Sequence, residues 1–181
     1  MIVARRRVKS SGDRKKDRRA ILFDLDETLV LTRAIEPLRR ARRWADVYAA
    51  FSQTSLPNGT FEFLVSVSGL AQLGVVTKSP RTYAEKLLAH HGIEVPVVVA
   101  YHDVSRVKPH PEALLLASQK LGVEPSKCIY VGDDENDVRA AKAAAFSPIA
   151  VCWGERIDLG IEPICMSWDE VHAEIVRFIV E

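Results

Sequence analysis

The chain has 181 residues, 48% of them hydrophobic, and a formal net charge of +1, so it can bury a core as one domain with room for a small insertion. It contains no apolar run close to the roughly 20 residues that a membrane-spanning helix needs, and no apolar N-terminal stretch typical of a secretion signal. Its three cysteines form no CxxC pair and have no metal-ligand spacing, which predicts reduced thiols in a cytoplasmic protein.

The charge is distributed unevenly along the chain. Residues 1–19 carry nine Lys and Arg against two Asp, whereas the remaining residues carry 16 Lys and Arg against 22 Asp and Glu. This composition predicts a flexible basic tail at 1–19, followed by a folded core over 20–181. The tail could bind nucleic acid, a membrane surface or another acidic partner, or it could be a solvated segment without a partner. No aromatic residue is interleaved with its charges to stack on bases, which weighs against nucleic acid.

From residue 20 onward, short apolar runs alternate with amphipathic segments. This alternation is typical of an α/β fold, in which helices cover both faces of a parallel sheet, and the runs are apolar enough to be buried on both faces. The predicted strands are 21–25, 73–77, 95–101, 128–131 and 149–152. The predicted helices with clear start or stop signals are 80–90, 111–121, 135–145 and 169–179. Ser79 is expected to cap the first of these helices.

Two segments between the first and second strands fit the alternation less simply. Residues 32–51 are predicted to form one helix, with an apolar side and an arginine-rich side, inserted into the core fold. The arginines could attract an anionic substrate, or they could form a solvated helix face. Residues 61–67 alternate apolar and polar side chains as a strand does, but their position before a strand favours a helix.

Polar side chains gather at the predicted carboxyl ends of the strands, where open parallel sheets bind their ligands. Several carboxylates in one pocket repel each other unless a cation joins them, and an all-oxygen ligand set favours Mg²⁺. A metal, a lysine and a hydroxyl facing one carboxylate are the groups that phosphoryl transfer requires. The residues that we expect to converge are Asp24, Asp26, Thr77, Lys78, Lys108, Asp133 and Asp137.

These residues also resemble the sequence motifs of a known family. The segment Asp24-Leu25-Asp26-Glu27-Thr28-Leu29 resembles the first motif of the haloacid dehalogenase superfamily, and Thr77 at a strand end resembles the second. Lys108-Pro109-His110-Pro111 is similar to the third motif, and Gly132-Asp133-Asp134-Glu135-Asn136-Asp137 to the fourth. The resemblance covers about residues 20–155, and its closest branch is that of the phosphoglycolate phosphatases.

The resemblance implies a Rossmann-like three-layer core and a phosphatase mechanism. Asp24 is then the nucleophile and a metal ligand, and Asp26 is the general acid and base, whose backbone carbonyl also binds the metal. Asp133 is a further metal ligand, and Asp137 binds the metal or supports it. Thr77 and Lys108 hold the phosphate. Members that cleave carbon–halogen bonds have no use for an acid at position 26, so the pattern favours phosphate chemistry.

The sequence departs from the family pattern in two places that concern the substrate. Lys78 stands where asparagine or another small polar residue is commoner; it could contact the phosphate or point to solvent. The segment 32–56 leaves room for only a minimal helical cap, so we expect an open pocket. An open pocket suits a larger substrate, or a small one enclosed by a partner subunit.

The main prediction is therefore a Mg²⁺-dependent phosphatase that works through an aspartyl-phosphate on a small phosphate monoester. One alternative is a phosphatase for a phosphoprotein or a nucleic-acid end, recruited by the basic tail. The other is a binding or regulatory module without turnover, against which the presence of Asp26 argues.

Overall fold

The computed structural model describes residues 18–154 and 164–180. Within these ranges, six parallel strands form one sheet in the order β3-β2-β1-β4-β5-β6. The strand order reverses beside β1, and in such sheets the crevice at the reversal is where ligands bind. The strands are β1 (Ala20–Phe23), β2 (Gln72–Val76), β3 (Val97–Val99), β4 (Cys128–Gly132), β5 (Ser147–Val151) and β6 (Ile164–Cys165).

Helices cover both faces of this sheet. The helices are α1 (Glu36–Arg40), α2 (Trp44–Ala49), α3 (Thr60–Ser68), α4 (Arg81–His90), α5 (Glu112–Leu121), α6 (Glu135–Ala143) and α7 (Trp168–Val180). Helices α3, α4 and α7 share one core cluster, and α5 and α6 share the other. The predicted α/β three-layer fold is confirmed.

Strand β1 shows why the sheet needs helices on both faces. Ile21 and Phe23 belong to one core cluster, whereas Ala20 and Leu22 belong to the other, because successive side chains of a strand point to opposite faces. All four residues are buried. The central strand is therefore fixed from both sides, and its carboxyl end is a rigid support for the residue that follows it, Asp24.

The segment between β1 and β2 differs from the prediction of one helix over 32–51. It forms two short helices, α1 and α2, separated by a break at which Arg42 has a φ of 53°. Ile35 and Val47 are both fully buried. In one straight helix these two positions would lie about 120° apart around the axis, since each residue turns the helix by about 100°. The break allows both side chains to reach the core.

Other predicted elements agree with the structure in type and differ in extent. Residues 61–67 lie in the helix α3, as favoured from their position. The predicted strand 95–101 is shorter, because a 3₁₀ turn at Tyr101–Asp103 follows β3. The short edge strand β6 was not predicted. In the described residues, no helix is long and apolar enough to cross a membrane. The predicted basic tail lies almost wholly outside the described residues.

Candidate active site

Four loops at the carboxyl edge of the sheet carry the predicted site residues. Asp24 follows β1, and its backbone N–H donates to the carbonyl of Val131 in β4 at 2.8 Å. Thr77 follows β2, and its N–H donates to the carbonyl of Val99 in β3 at 2.9 Å. Asp133 follows β4 directly. The strand register therefore aligns these three residues at one edge, as predicted.

Lys108 connects residues that lie at the carboxyl ends of β1 and β4. Its ammonium nitrogen Nζ lies 2.7 Å from Asp24 Oδ1 and 2.6 Å from Asp137 Oδ1. It also donates to the Tyr130 hydroxyl at 2.8 Å, and that hydroxyl donates in turn to the carbonyl of Val76 at 2.8 Å. The Lys108 side chain is only 1% exposed, so its charge is compensated by these contacts rather than by water. The buried lysine thus links Asp24, at the end of β1, to Asp137 in the first turn of α6.

The carboxyl groups around Lys108 have perturbed pKa values. Desolvation, followed by the charges of Asp24 and Asp137, raises the pKa of Asp133 to about 7. Desolvation also raises the pKa of Asp137 to about 6 and raises that of Asp24, while Lys108 opposes both shifts. Although desolvation lowers it, the pKa of Lys108 lies above its usual value because of Asp24 and Asp137. The cluster holds more negative charge than one lysine neutralises.

A divalent cation would supply the missing positive charge. Asp24, Asp133 and Asp137 each offer a carboxylate oxygen, and these atoms lie within 4.8 Å of one another. Asp133 is also oriented, because Thr28 donates its hydroxyl to Asp133 Oδ1 at 3.0 Å. An all-oxygen set of this kind suits a hard ion such as Mg²⁺. The residues present therefore fit the predicted metal.

Asp26 lines the same cleft but does not belong to the carboxylate cluster of Asp24, Asp133 and Asp137. Its two oxygens face the cap segment and the start of α4, and Oδ2 forms an ion pair with the Arg39 guanidinium at 2.7 Å. Tyr83 donates to Oδ1 at 2.6 Å, and Ser79 donates to Oδ2 at 2.7 Å. The structure thus brings Asp24, Thr77, Lys108, Asp133 and Asp137 to one edge, and holds the Asp26 carboxylate through a separate set of donors.

Three of these contacts correct or extend the sequence-based expectations. Ser79 does not cap α4, because Pro80 occupies the N-cap position and the Ser79 hydroxyl bonds to Asp26 instead. Arg39 and Tyr83 were not predicted as site residues. Arg39 could have been suspected only as one of several arginines in its segment, and Tyr83 only as an apolar residue of a helix.

The site opens into a cleft of about 510 Å³. Cations line its mouth, as the arginine-rich segment suggested, but in the described residues each of them is paired with a carboxylate. Lys78, for example, lies 3.3 Å from Asp134, the residue that caps α6. Arg42 and Arg43 do not line the cleft. The pairs at the mouth are Arg33–Glu27, Arg39–Asp26, Arg40–Glu36 and Lys78–Asp134.

The fold and this site define a hydrolase of the haloacid dehalogenase type. The sequence model of the haloacid dehalogenase-like hydrolases matches residues 36–145, which is more than half of the chain. The chain therefore belongs to this family, as its motifs predicted. Asp24 and Asp26 precede the matched segment, so their place in the site comes from the structure.

Curated relatives point to one branch of the family. The chain is 35% identical over 139 residues to the phosphoglycolate phosphatase of Shigella boydii serotype 4, a match that covers 70% of this chain and 54% of that protein. It is 39% identical over 93 residues to the phosphoglycolate phosphatase of Escherichia coli K12, covering 48% of this chain and 37% of that protein. The chain thus spans about half, or less, of the length of these relatives.

Solved structures share the fold. A haloacid dehalogenase superfamily hydrolase from Geobacter sulfurreducens aligns with a TM-score of 0.70 at 18% identity, covering 88% of this chain and 97% of that one. CbbY from Rhodobacter sphaeroides, solved in complex with phosphate, aligns with a TM-score of 0.70 at 21% identity, covering 84% of this chain and 96% of that one. Similarity at this level of identity concerns the fold alone.

Proposed function

We propose that the protein is a Mg²⁺-dependent phosphatase that hydrolyses phosphate monoesters through a phosphorylated Asp24. The observation that carries the proposal is the buried contact of Lys108 with Asp24 and Asp137, next to a third carboxylate, Asp133. This arrangement holds Asp24 at the end of β1, where it lines the cleft. It also leaves an excess of negative charge where a dication would bind.

The chemistry has two steps that share one pair of aspartates. In the first step an oxygen of Asp24 attacks phosphorus, the bond from phosphorus to the leaving oxygen breaks, and Asp26 gives its proton to that oxygen. In the second step Asp26 takes a proton from water as the water attacks phosphorus. The bond from phosphorus to Asp24 then breaks, and inorganic phosphate is released.

The other site residues bind and orient the phosphate. The Thr77 hydroxyl lies at the cleft and is available to donate to a phosphoryl oxygen, and Lys108 keeps the nucleophile in place with its positive charge. Asp24, Asp133 and Asp137 would hold Mg²⁺, with the backbone carbonyl of Asp26 as a further ligand. When bound, the ion neutralises charge on the transferring phosphoryl group.

The substrate that we propose is a small phosphate monoester in the cytoplasm. The curated relatives support this class, since their names make phosphoglycolate the first compound to test. The cleft of about 510 Å³ has room for a small phosphate ester, and the short cap contributes part of its lining. A larger substrate is the alternative, and the same experiment addresses it.

The test is turnover of a panel of phosphate monoesters, including phosphoglycolate and a nitrophenyl phosphate, with Mg²⁺ and with a chelator. We expect hydrolysis by the wild type with Mg²⁺ and none above background by Asp24→Asn. Asp169→Asn is the matched control, because Asp169 is an exposed aspartate on α7. If the wild type and Asp24→Asn were equally inert on every ester, a non-catalytic module would be the better description.

A further inference from the structure

The carboxylate of Asp26 has a donor at each of its four acceptor positions. Oδ1 accepts from the hydroxyls of Thr32 at 3.0 Å and Tyr83 at 2.6 Å. Oδ2 accepts from the hydroxyl of Ser79 at 2.7 Å and from the guanidinium of Arg39 at 2.7 Å. Two ionised oxygens offer about four lone-pair sites, so these donors fix the plane of the carboxylate. Three of the donors are hydroxyls, which can turn and also accept, so one of them can make way for the proton that Asp26 carries as an acid.

Arg39 is the charged member of this set, and it also organises the neutral members. One guanidinium nitrogen donates to Thr32 Oγ1 at 3.0 Å, and the other donates to Ser79 Oγ at 3.1 Å as well as to Asp26. The guanidinium carbon lies 4.9 Å from the centre of the Tyr83 ring. A planar fork of donors fits this geometry, whereas the single point charge of a lysine does not.

Arg39 connects the cap segment to Asp26, the proposed acid and base of the reaction. Its backbone belongs to α1, in the short insertion between β1 and β2, while its side chain reaches across the cleft wall to a residue of the first strand loop. The Arg39 side chain is 21% exposed and that of Asp26 is 14% exposed, so water screens the pair only in part. The ion pair therefore joins the insertion to the residue that we propose as the acid of the reaction.

We propose that Arg39 is a positioning residue, through which the minimal cap orients the Asp26 carboxyl for proton transfer. This inference rests on the proposed function. Without Arg39, Asp26 loses its charged donor, and the Thr32 and Ser79 hydroxyls lose the guanidinium that orients them. The three remaining hydroxyls then hold the Asp26 carboxyl less firmly toward the leaving group. Among the described residues, the Arg39 side chain contacts Thr32, Ser79, Asp26 and Tyr83 but not Asp24 or the carboxylates of Asp133 and Asp137, so phosphate and metal binding should be preserved.

The test compares substrates that differ in their need for an acid. An alkyl phosphate requires protonation of its leaving oxygen, whereas nitrophenolate leaves without a proton. The variants are Arg39→Ala, Arg39→Lys and the control Arg43→Ala, which removes an arginine of the same segment that pairs with Asp46 at 2.7 Å outside the cleft. The measurements are kcat and KM for the alkyl phosphate and the pre-steady-state burst of nitrophenolate.

For Arg39→Ala we expect kcat on the alkyl phosphate to fall by at least about tenfold, which is part of the roughly 10²–10⁴-fold that general acid catalysis contributes, with KM changed by less than about threefold. The nitrophenolate burst should keep its rate within about threefold, followed by slower steady-state turnover, since Asp26 also activates water in the second step. Arg39→Lys should recover part of the loss, and Arg43→Ala should match the wild type.

Three outcomes would overturn the inference. The first is an Arg39→Ala variant with wild-type kcat on both substrates. The second is an equal loss of the burst and of alkyl phosphate turnover, which would indicate damage to the phosphate site. The third outcome applies if Arg39→Ala does not fold. In that case, an unchanged kcat of Arg39→Lys on the alkyl phosphate would overturn the inference. A wild type inactive on both substrates, in contrast, would refute the proposed phosphatase function itself.

Discussion

Replacement of Lys108 by methionine tests whether its charge balances the carboxylates of the site. The quantity measured is the free energy of unfolding, so the test does not depend on activity. Methionine fills much of the same volume but removes the ammonium group that touches Asp24 and Asp137. Two carboxylates then remain in a dry pocket without their cation, and the Tyr130 hydroxyl loses the donor that it accepts from at 2.8 Å. The variant should therefore be much less stable than the wild type in the absence of metal.

The expected loss follows from the burial of these groups. Breaking a buried ion pair by removing one partner costs about 3–5 kcal/mol, because it leaves an uncompensated charge. Lys108 and Asp137 are both only 1% exposed in their side chains, so this range applies without a discount for solvent. In a domain of about 150–250 residues, 1 kcal/mol shifts Tm by roughly 2–4 °C, which gives a decrease of about 10 °C.

The assay is urea and thermal unfolding of metal-free protein, with Lys120→Met as the control, since Lys120 is an exposed lysine on α5. Adding Asp137→Asn to Lys108→Met should recover stability, because it neutralises one of the two stranded carboxylates. The loss should also shrink from about pH 8 to about pH 5, since protonation removes the stranded charge. A loss below about 1 kcal/mol, or a double variant less stable than Lys108→Met, would refute this account.

Further predictions concern metal, pH and the loop after β4. Folding raises the pKa of Asp133 from 3.8 to about 7. A proton on Asp133 therefore stabilises the metal-free folded protein fully below about pH 4. This stabilisation is lost as the pH rises through about 7, which lowers the free energy of unfolding by up to about 4 kcal/mol. Urea unfolding with a chelator should show this decline, and Asp133→Asn should flatten it; an unchanged slope would contradict it. Because Mg²⁺ competes with protons for the same carboxyls, its Kd measured by calorimetry should rise as the pH falls from about 8 to about 6, and a pH-independent Kd would argue against binding at this cluster. Finally, a Cβ at Gly132 would lie 2.5 Å from the Asp137 Cβ, so Gly132→Ala should displace Asp137 from Lys108 and weaken Mg²⁺ binding; an unchanged Mg²⁺ Kd and Tm would contradict this.

Much of the fold could be predicted because its signals are local and repeated. Apolar runs mark the buried strands, and Gly122 ends α5 with a φ of 64°, a backbone conformation suited to glycine. The edge strand β6 has only two residues, too few for any periodic pattern. The break between α1 and α2 follows from the need to bury Ile35 and Val47 together, a tertiary requirement that no local pattern expresses.

The candidate site likewise contains residues that the sequence predicts and residues that it does not. Asp24, Thr77 and Asp133 each follow a strand, and parallel register alone brings them to one edge. The partners of Asp26 come from elements that meet only in the folded chain. Ser79 has the typical residue type and position of an N-cap, and its bond to Asp26 depends on the extended backbone of Pro80. Nothing in the sequence distinguishes Arg39 from the arginines beside it.

The most direct test of the account is detection of the phosphorylated enzyme itself. Asp26→Asn should still be phosphorylated by a nitrophenyl phosphate, whose leaving group needs no proton, but it lacks the base for the second step, so the intermediate should accumulate. Rapid acid quenching followed by peptide mass spectrometry should find one phosphoryl group on Asp24, formed with Mg²⁺ and absent with a chelator. Nitrophenol release without a phosphoryl group on Asp24, or with the group on another residue, would contradict the central claim.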